Sequence, residues 1–263
     1  MGLRLRFGDV TLVSMRWVAM IGMAMAVWAQ TPEQTEILAR ARAAALEYSK
    51  SLPDFLCTEM VRRFEDPYGS NRWRPLDTLA IKISYSGHEQ YQLVSRNGGP
   101  TPPDLESAGG AISSGEFGTR LVDIFDQESA TEFAWKGWGR VRKQRVAVFT
   151  YRVDQPHSRN RITFGDPHSR VRAVVAAFHG EISVDPESGA ALRITLTAEM
   201  PLGFPITACS SWTEYDYRDV AGKRFLLPVA SESRMEEGRY LAMNQIEFRD
   251  YRKFQTETNI TFK

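Results

Sequence analysis

Thr78-Leu79-Ala80-Ile81-Lys82-Ile83-Ser84-Tyr85 alternates large apolar side chains with small or polar ones, and that period of two decides the fold. Successive side chains of a strand point to opposite faces, so Leu79, Ile81, Ile83 and Tyr85 share one buried face. Ser86-Gly87 then turns the chain into a partner, 89–96, in which Tyr91 and Leu93 alternate with Gln90 and Gln92. Asn97-Gly98-Gly99-Pro100 stops this second strand, because asparagine and glycine tolerate positive φ.

Upstream, 55–64 reads as a strand, followed by a polar loop over 65–71. Before it stands a helix with a clear start. Thr31 is its N-cap, Pro32 takes the first helical position, Glu33 faces the helix dipole and Gln34 completes a capping box. Ile37, Ala41, Ala44, Ala45 and Tyr48 recur at helical spacing, and Ser51-Leu52-Pro53-Asp54 ends the run.

Downstream, a Gly/Pro-rich loop over 97–112 leads to a second helix signature. Ser113 is placed as its N-cap with Glu116 three residues on, and Phe117, Leu121, Ile124 and Phe125 lie on one stripe. Strands follow near 131–136, 140–154, 171–184, 190–200, 211–219, 224–234 and 240–250, with a last extended piece at 253–262. Asp185-Pro186-Glu187-Ser188-Gly189 and Val220-Ala221-Gly222-Lys223 are hairpin turns. The expectation is an α+β domain: a mainly antiparallel, strongly curved sheet (an incomplete β-barrel) with an N-terminal helix and a covering helix.

The first 29 residues read as an address. Arg4, Arg6 and Arg16 precede an uncharged run from Trp17 to Ala29, with small residues at the exit, which is the layout of a secretory signal peptide. The run is about 13 residues, against the ~20 that a bilayer-crossing helix needs. Met15 is a second candidate start. The division expected is therefore a signal peptide over 1–29 and one β-rich domain over 30–263, exported to the periplasm or medium. In such a compartment the two cysteines, Cys57 and Cys209, are expected to pair with each other, with two buried free thiols or an intermolecular bridge as the alternatives. A formal net charge of +1 gives no field for nucleic acid, which is not an expected partner.

Catalytic signatures do not emerge. His157 and His168 sit in two copies of Pro-His-Ser-Arg, and with His179 they are evenly spaced. Three imidazoles can hold zinc, yet the close pair on one element that metal motifs carry is missing, and solvent-exposed loop histidines flanking a short strand are the favoured reading. His179-Gly180-Glu181 with Asp185 offers an acid/base set on paper, against the reading of ordinary sheet residues. There is no nucleophile elbow, no His-Glu-x-x-His, no phosphate loop and no dinucleotide fingerprint. The tract Arg140-Val141-Arg142-Lys143-Gln144-Arg145 is read as a strand lead-in, with anionic headgroups as the other option. No cofactor and no metal are expected.

The order of segments resembles a known family. A capped helix runs into Phe55-Leu56-Cys57-Thr58-Glu59, then come Tyr91 to Gly98, a helix, and Gly180 to Gly189 leading to Leu192-Arg193-Ile194. Tyr215 to Pro228 and Ile246 to Tyr251 close the series. This is similar to the LolA/LolB-like superfamily of periplasmic lipoprotein carriers and receptors. The chain is also similar to exported bacterial proteins that share Leu52-Pro53-Asp54-Phe55-x-Cys57 and Gly115-Glu116-Phe117-Gly118. The first resemblance implies an incomplete barrel and no catalysis, and it transfers no ligand residue by motif. It implies a concave apolar face sheltering a lipid, a lipoprotein's acyl chains or another hydrophobic ligand, with transient membrane contact. Leu79, Ile81, Ile83, Tyr91, Leu93, Phe117 and Leu121 are the candidates to line that face, with plain core packing as the alternative. The rival classes are a secreted hydrolase or metal enzyme using His157, His168 and His179, and a structural or partner-binding module with a filled core.

Overall fold

The computed structural model describes residues 30–101, 104–105, 108–109, 115–165 and 171–254. The expected leader, the Ser113 cap, His168 with its Pro-His-Ser-Arg copy and the extended piece after residue 254 lie outside the described residues.

Helix α1, Pro32–Ser51, begins as its residues dictate: the Thr31 hydroxyl accepts from the Gln34 N–H, and the Gln34 side chain returns the bond to the Thr31 N–H. Thirteen strands follow among the described residues: β1 Phe55–Asp66, β2 Arg74–Tyr85, β3 Glu89–Arg96, β4 Gly99–Pro100, β5 Glu132–Val141, β6 Gln144–Val153, β7 Arg161–Phe164, β8 Arg172–Val175, β9 Ala177–Val184, β10 Ala191–Glu199, β11 Ile206–Val220, β12 Lys223–Glu237 and β13 Tyr240–Lys253. Helix α2, Thr119–Phe125, is inserted between β4 and β5.

Eleven strands form one open antiparallel sheet in the order β4-β3-β2-β1-β13-β12-β11-β10-β9-β6-β5, and β7 and β8 make a separate hairpin. The ladder β1–β13 joins the two ends of the chain in the middle of the sheet. The expected mainly antiparallel α+β class is what the chain adopts. Its core falls into two large apolar clusters. One joins α1 and α2 to β6, β9, β10 and β11, through Ile37, Tyr48, Leu121, Phe125, Phe149, Phe178 and Ile194. The other lies on β1, β2, β3 and β13, with Phe55, Val61, Ile83, Leu93 and Phe248, and reaches Val220 of β11 and Leu227 of β12.

Several boundaries differ from the periodicity reading. The segment read as 131–136 and 140–154 is a hairpin, β5–β6, turning at Arg142, which takes φ 53° where no glycine or proline signals a turn. The single strand read over 171–184 is two, broken at Ala176, whose N–H donates to the Asn160 carbonyl. The second helix starts at Thr119 rather than after Ser113. Its N-cap is Gly118 at φ 118°, with no side-chain cap. That φ is one that residues with a side chain rarely adopt, and a Cβ there would also stand 2.2 Å from Ser49 Oγ of α1, which would have to turn away.

The expected disulfide is absent: both cysteines are free. Cys57 is on β1 and Cys209 on β11, with β13 and β12 between them. Following the ladder from Cys209 through Met235 and Ala242 arrives at Glu65, at the far end of β1 from Cys57. A bridge needs Cα atoms within ~7 Å, which this placement does not provide.

Gly189 fixes α1 to the sheet. It occupies φ 73° in the β9–β10 turn, and a Cβ there would meet the Arg40 backbone carbonyl at 2.5 Å. Gly189→Ala combines a left-handed penalty of ~1–2 kcal/mol with overpacking of ~1–3 kcal/mol. The expected result is a loss of about 2 kcal/mol or more of unfolding free energy in urea titration, with faster amide exchange in α1. An unchanged midpoint would rule out this contact as a stability determinant.

Candidate functional site

Directly paired residues of antiparallel strands share a face, so the register maps the side of the sheet that carries the core. One row reads Ile182, Ile194, Thr213, Ser231, Ile246, Val61 and Leu79 from β9 to β2. The next reads Leu196, Ser211, Ser233, Asn244, Arg63 and Asp77. Both rows are apolar on the β9–β10 side and turn polar across β11 and β12. The second stays polar through β13, β1 and β2. In these two rows a strip of hydroxyls and charges stands between the two apolar clusters, while Tyr215, Leu227, Val229 and Phe248 keep neighbouring positions of β11, β12 and β13 apolar and buried. Ser211, Thr213 and Ser233 are half-buried, whereas Ser231 and Asn244 are buried.

The strip is internally bonded. The Thr213 and Ser231 hydroxyls lie 3.2 Å apart, and Ser231 Oγ donates to the Trp212 carbonyl at 2.8 Å. Glu116 and Arg120 approach it from the segment before α2 and its first turn. With Ser211 and Thr213 they line a small gap of about 30 Å³. Arg120 donates to Asn160 Oδ1 at 3.2 Å, pairs with Asp123 at 3.6 Å and lies 5.9 Å from the Phe178 ring centre. The Tyr215 hydroxyl donates to the Glu116 carbonyl at 2.9 Å and so ties the segment to β11.

Two inward side chains of β1 set the electrostatics. Glu59 is 6% exposed between Phe248 and Ile81. Burial, reinforced by the nearby Glu116 carboxylate, pushes its pKa up to about 8, so it carries a proton at neutral pH. Arg63, two positions beyond the neighbouring Val61, makes a bidentate pair with Asp77: Nε to Oδ1 and Nη2 to Oδ2, each 2.6 Å. Arg63 also donates to the Ala108 carbonyl at 3.1 Å and to the Gly109 carbonyl, so it holds Ala108 and Gly109 onto the sheet. Arg96 donates to Asp77 Oδ2 at 2.7 Å, and the hydrogen bonds from Arg63 hold the Asp77 carboxyl below its ordinary value.

Six of the seven candidate lining residues come together. Leu79, Ile81, Ile83, Leu93 and Phe117 are buried in the β1–β3 cluster, and Tyr91 packs against it. The Phe117 ring stands 5.3 Å from Phe55 and 5.6 Å from Phe248. Leu121 is elsewhere, in the cluster under α1. All seven lie against protein side chains. The half-exposed inner surface is the strip beside them, whose polar residues the apolar periodicity did not pick out. The signal was present in β1: Phe55, Cys57, Glu59, Val61 and Arg63 occupy alternate positions, so two charges share the buried phase.

His157 and His179 have separate partners. His157 Nδ1 is 3.0 Å from the Glu128 carbonyl, and His179 Nδ1 is 3.1 Å from Glu199, which Arg152 also holds. Glu181 pairs with Lys136, and Asp185 accepts from Gln144 at 3.0 Å, so the paper acid/base set divides among separate partners. Among the described residues no group of three histidine, cysteine or acidic side chains is placed to hold a metal ion. The basic tract is likewise engaged: Arg142 pairs with Asp216, and the Arg145 guanidinium lies 3.8 Å from the Trp138 ring centre. Among the described residues, no helix is long and apolar enough to cross a membrane.

No family model matches the chain, and no curated protein matches it. Its structure is similar to that of a LolA superfamily protein of Nitrosomonas europaea, at 11% identity over 87% of this chain and 97% of the other, with TM-score 0.32. It is similar to a DUF1329 family protein of Desulfovibrio piger, at 6% identity over 88% and 96%, with TM-score 0.40. It is also similar to a Vibrio parahaemolyticus domain described as an outer membrane lipoprotein-sorting protein, at 10% identity over 86% and 93%, with TM-score 0.40. Neither a ligand nor a residue role passes from any of these to this chain.

Proposed function

We propose that the chain is an exported, single-domain envelope protein whose curved sheet binds a lipid, a lipoprotein's acyl chains or another amphipathic ligand on its inner face. The observation that carries this is the strip itself. A sheet face filled only for stability would continue its apolar rows across β11–β13. Here two of the rows break into half-buried Ser211, Thr213 and Ser233, beside positions that stay apolar at Tyr215, Leu227 and Phe248. That pattern suits a ligand with an apolar body and a polar end, the apolar part meeting Ile194 and Leu196 and the polar part meeting the hydroxyls and Arg120. Curvature is supported by α1, which touches distant strands: Tyr85 of β2 donates to the Ser49 carbonyl at 3.1 Å, while the Tyr215 ring of β11 lies 6.0 Å from Tyr48. Helix α2, placing Leu121, Ile124 and Phe125 in the same cluster as α1, then serves as a cover.

The test is native mass spectrometry of protein purified from a periplasmic extract, beside a Ser211→Trp/Ser233→Trp variant that fills the strip. Co-purifying lipid that the folded variant loses is the expected outcome. Protein without lipid, or lipid retained by the filled variant, overturns the reading.

A further inference from the structure

Strand β5 ends the order of the sheet, so among the described residues its outer edge has no strand beside it. Two contacts give the direction of its backbone groups. Thr150 Oγ1 of β6 donates to the Ala134 carbonyl at 3.4 Å, so Ala134 turns its backbone toward β6. The Phe133 carbonyl instead accepts from Gln30 Nε2 at 3.2 Å, a side chain from before α1, so Phe133 turns its backbone outward. That direction alternates along a strand, which sets Trp135 outward as well. Side chains alternate too: Phe133 stacks on Phe125 and Trp135 meets Phe149, while Glu132, Ala134 and Lys136 are exposed on the other face. Glu181 pairs with Lys136 and leaves it half-exposed. Glu132 has no ion-pair partner among the described residues, and Arg152 across from it is held by Asp154 and Glu199. A bulge between Trp135 and Gly137 then ends the regular edge, which is therefore 132–136.

We propose that this edge pairs with the same edge of a second copy of the chain, antiparallel about a two-fold axis at Ala134. Outward backbone groups must meet outward ones, so Phe133 can face Phe133, Phe133 can face Trp135, or Trp135 can face Trp135. The second register sets Glu132 opposite the partner's Lys136 and Lys136 opposite the partner's Glu132. The other two set Glu132 opposite Ala134 or Trp138. The edge is thus complementary to itself in charge in one register, the one centred on Ala134. Each Phe133–Trp135 pair then exchanges both of its backbone hydrogen bonds, and the partner's Trp135 N–H takes the place of Gln30 at the Phe133 carbonyl. An unpaired edge offers its backbone to any extended chain, but a self-complementary charge pattern selects a second copy, in an interface made of one patch used twice. The edge lies apart from the strip on β10–β12, so this pairing and the ligand reading stand or fall separately.

The experiment is sedimentation velocity of the protein purified from cells expressing the full chain. So short a ladder buries less than the ~1,200 Å² of a stable complex, so the dimer is expected to fill only as concentration passes about 0.1 mM. Glu132→Lys and Lys136→Glu each set like charges opposite one another at both ends of the ladder. Each is expected to weaken dimerisation about tenfold or more. Mixed in equal amounts, the two variants are expected to form a heterodimer of the parent's strength, because the register then opposes lysine to glutamate at both ends. The double exchange Glu132→Lys/Lys136→Glu is expected to recover self-association for the same reason. Both side chains are exposed, and matched thermal melts verify that the variants fold. A monomer at every concentration up to ~1 mM overturns the proposal and leaves the edge to a strand of another protein. Single variants that dimerise like the parent, or a mixture that does not associate, overturn it as well.

Discussion

Replacing Arg63 with methionine is expected to cost about 3–5 kcal/mol of unfolding free energy, the usual range for removing one partner of a buried ion pair. Arg63 and Asp77 side chains are 3% and 1% exposed, so the orphaned carboxylate has no water to turn to. Arg96 continues to reach Asp77, but from a side chain 44% exposed and with a single bond in place of two. The same substitution strips the Ala108 and Gly109 carbonyls of their donor. Urea unfolding therefore shifts to a lower midpoint, and protease cutting at Ala108 and Gly109 accelerates. Pairing Arg63→Met with Asp77→Leu removes both charges, and most of the loss is expected to return, because well-packed apolar replacements of a buried pair are often neutral. The sign with pH follows from Asp77. Its carboxyl is held below its ordinary value, so its contribution is complete at pH 7 and fades only as pH falls through and below the usual carboxylate range. Equal stability of parent and single variant at pH 7 would show that the pair does not hold the segment.

The elements that were legible in the chain are those whose local chemistry and tertiary role agree. Thr31 to Gln34 write a capping box that the structure forms, and 89–96 coincides with β3 because its alternation and its flanking turns point the same way. Asp185 to Gly189 and Val220 to Lys223 turn as read, since Gly189, Ala221 and Gly222 all take positive φ there. What escaped depends on contacts distant in sequence. Arg142 turns a hairpin without turn chemistry, its side chain paired to Asp216 of β11. Gly118 is fixed by the approach of α1, which no local pattern encodes. The candidate site divides likewise. Apolar alternation located the β2 and β3 residues but cannot distinguish a packed core from a lining. The strip became visible only when register aligned Thr213, Ser231, Ser211 and Ser233 from two strands and placed Glu59 and Arg63 on the same face.

Removing the Glu59 carboxyl is expected to stabilise the protein, and increasingly so as pH rises above about 4.5. Its folded pKa of about 8 lies above the ordinary 4.5, so the folded state binds a proton that the unfolded chain releases. Relative stability is therefore greatest below pH 4.5, declines as pH rises from there to about 8, and is flat beyond. One pKa unit corresponds to ~1.4 kcal/mol, so the full penalty at pH 9 is on the order of 5 kcal/mol. Glu59→Gln keeps the size and hydrogen-bonding capacity of the protonated acid while deleting the ionisation. Its unfolding free energy is expected to match the parent near pH 4 and to exceed it by several kcal/mol at pH 9, the difference growing across the window between. Urea titrations at matched ionic strength and closely spaced pH values read this directly, and common titrations of other groups cancel in the difference. Parallel curves would mean that Glu59 ionises freely and that the inner face is wetter than its 6% exposure implies. The ligand reading adds a further expectation. An amphipathic ligand seated between the clusters excludes water from the Glu59 side chain, so a loaded protein holds the proton to higher pH, and the crossover moves up when lipid is bound. A crossover that stays fixed when lipid loads would place the ligand away from this face.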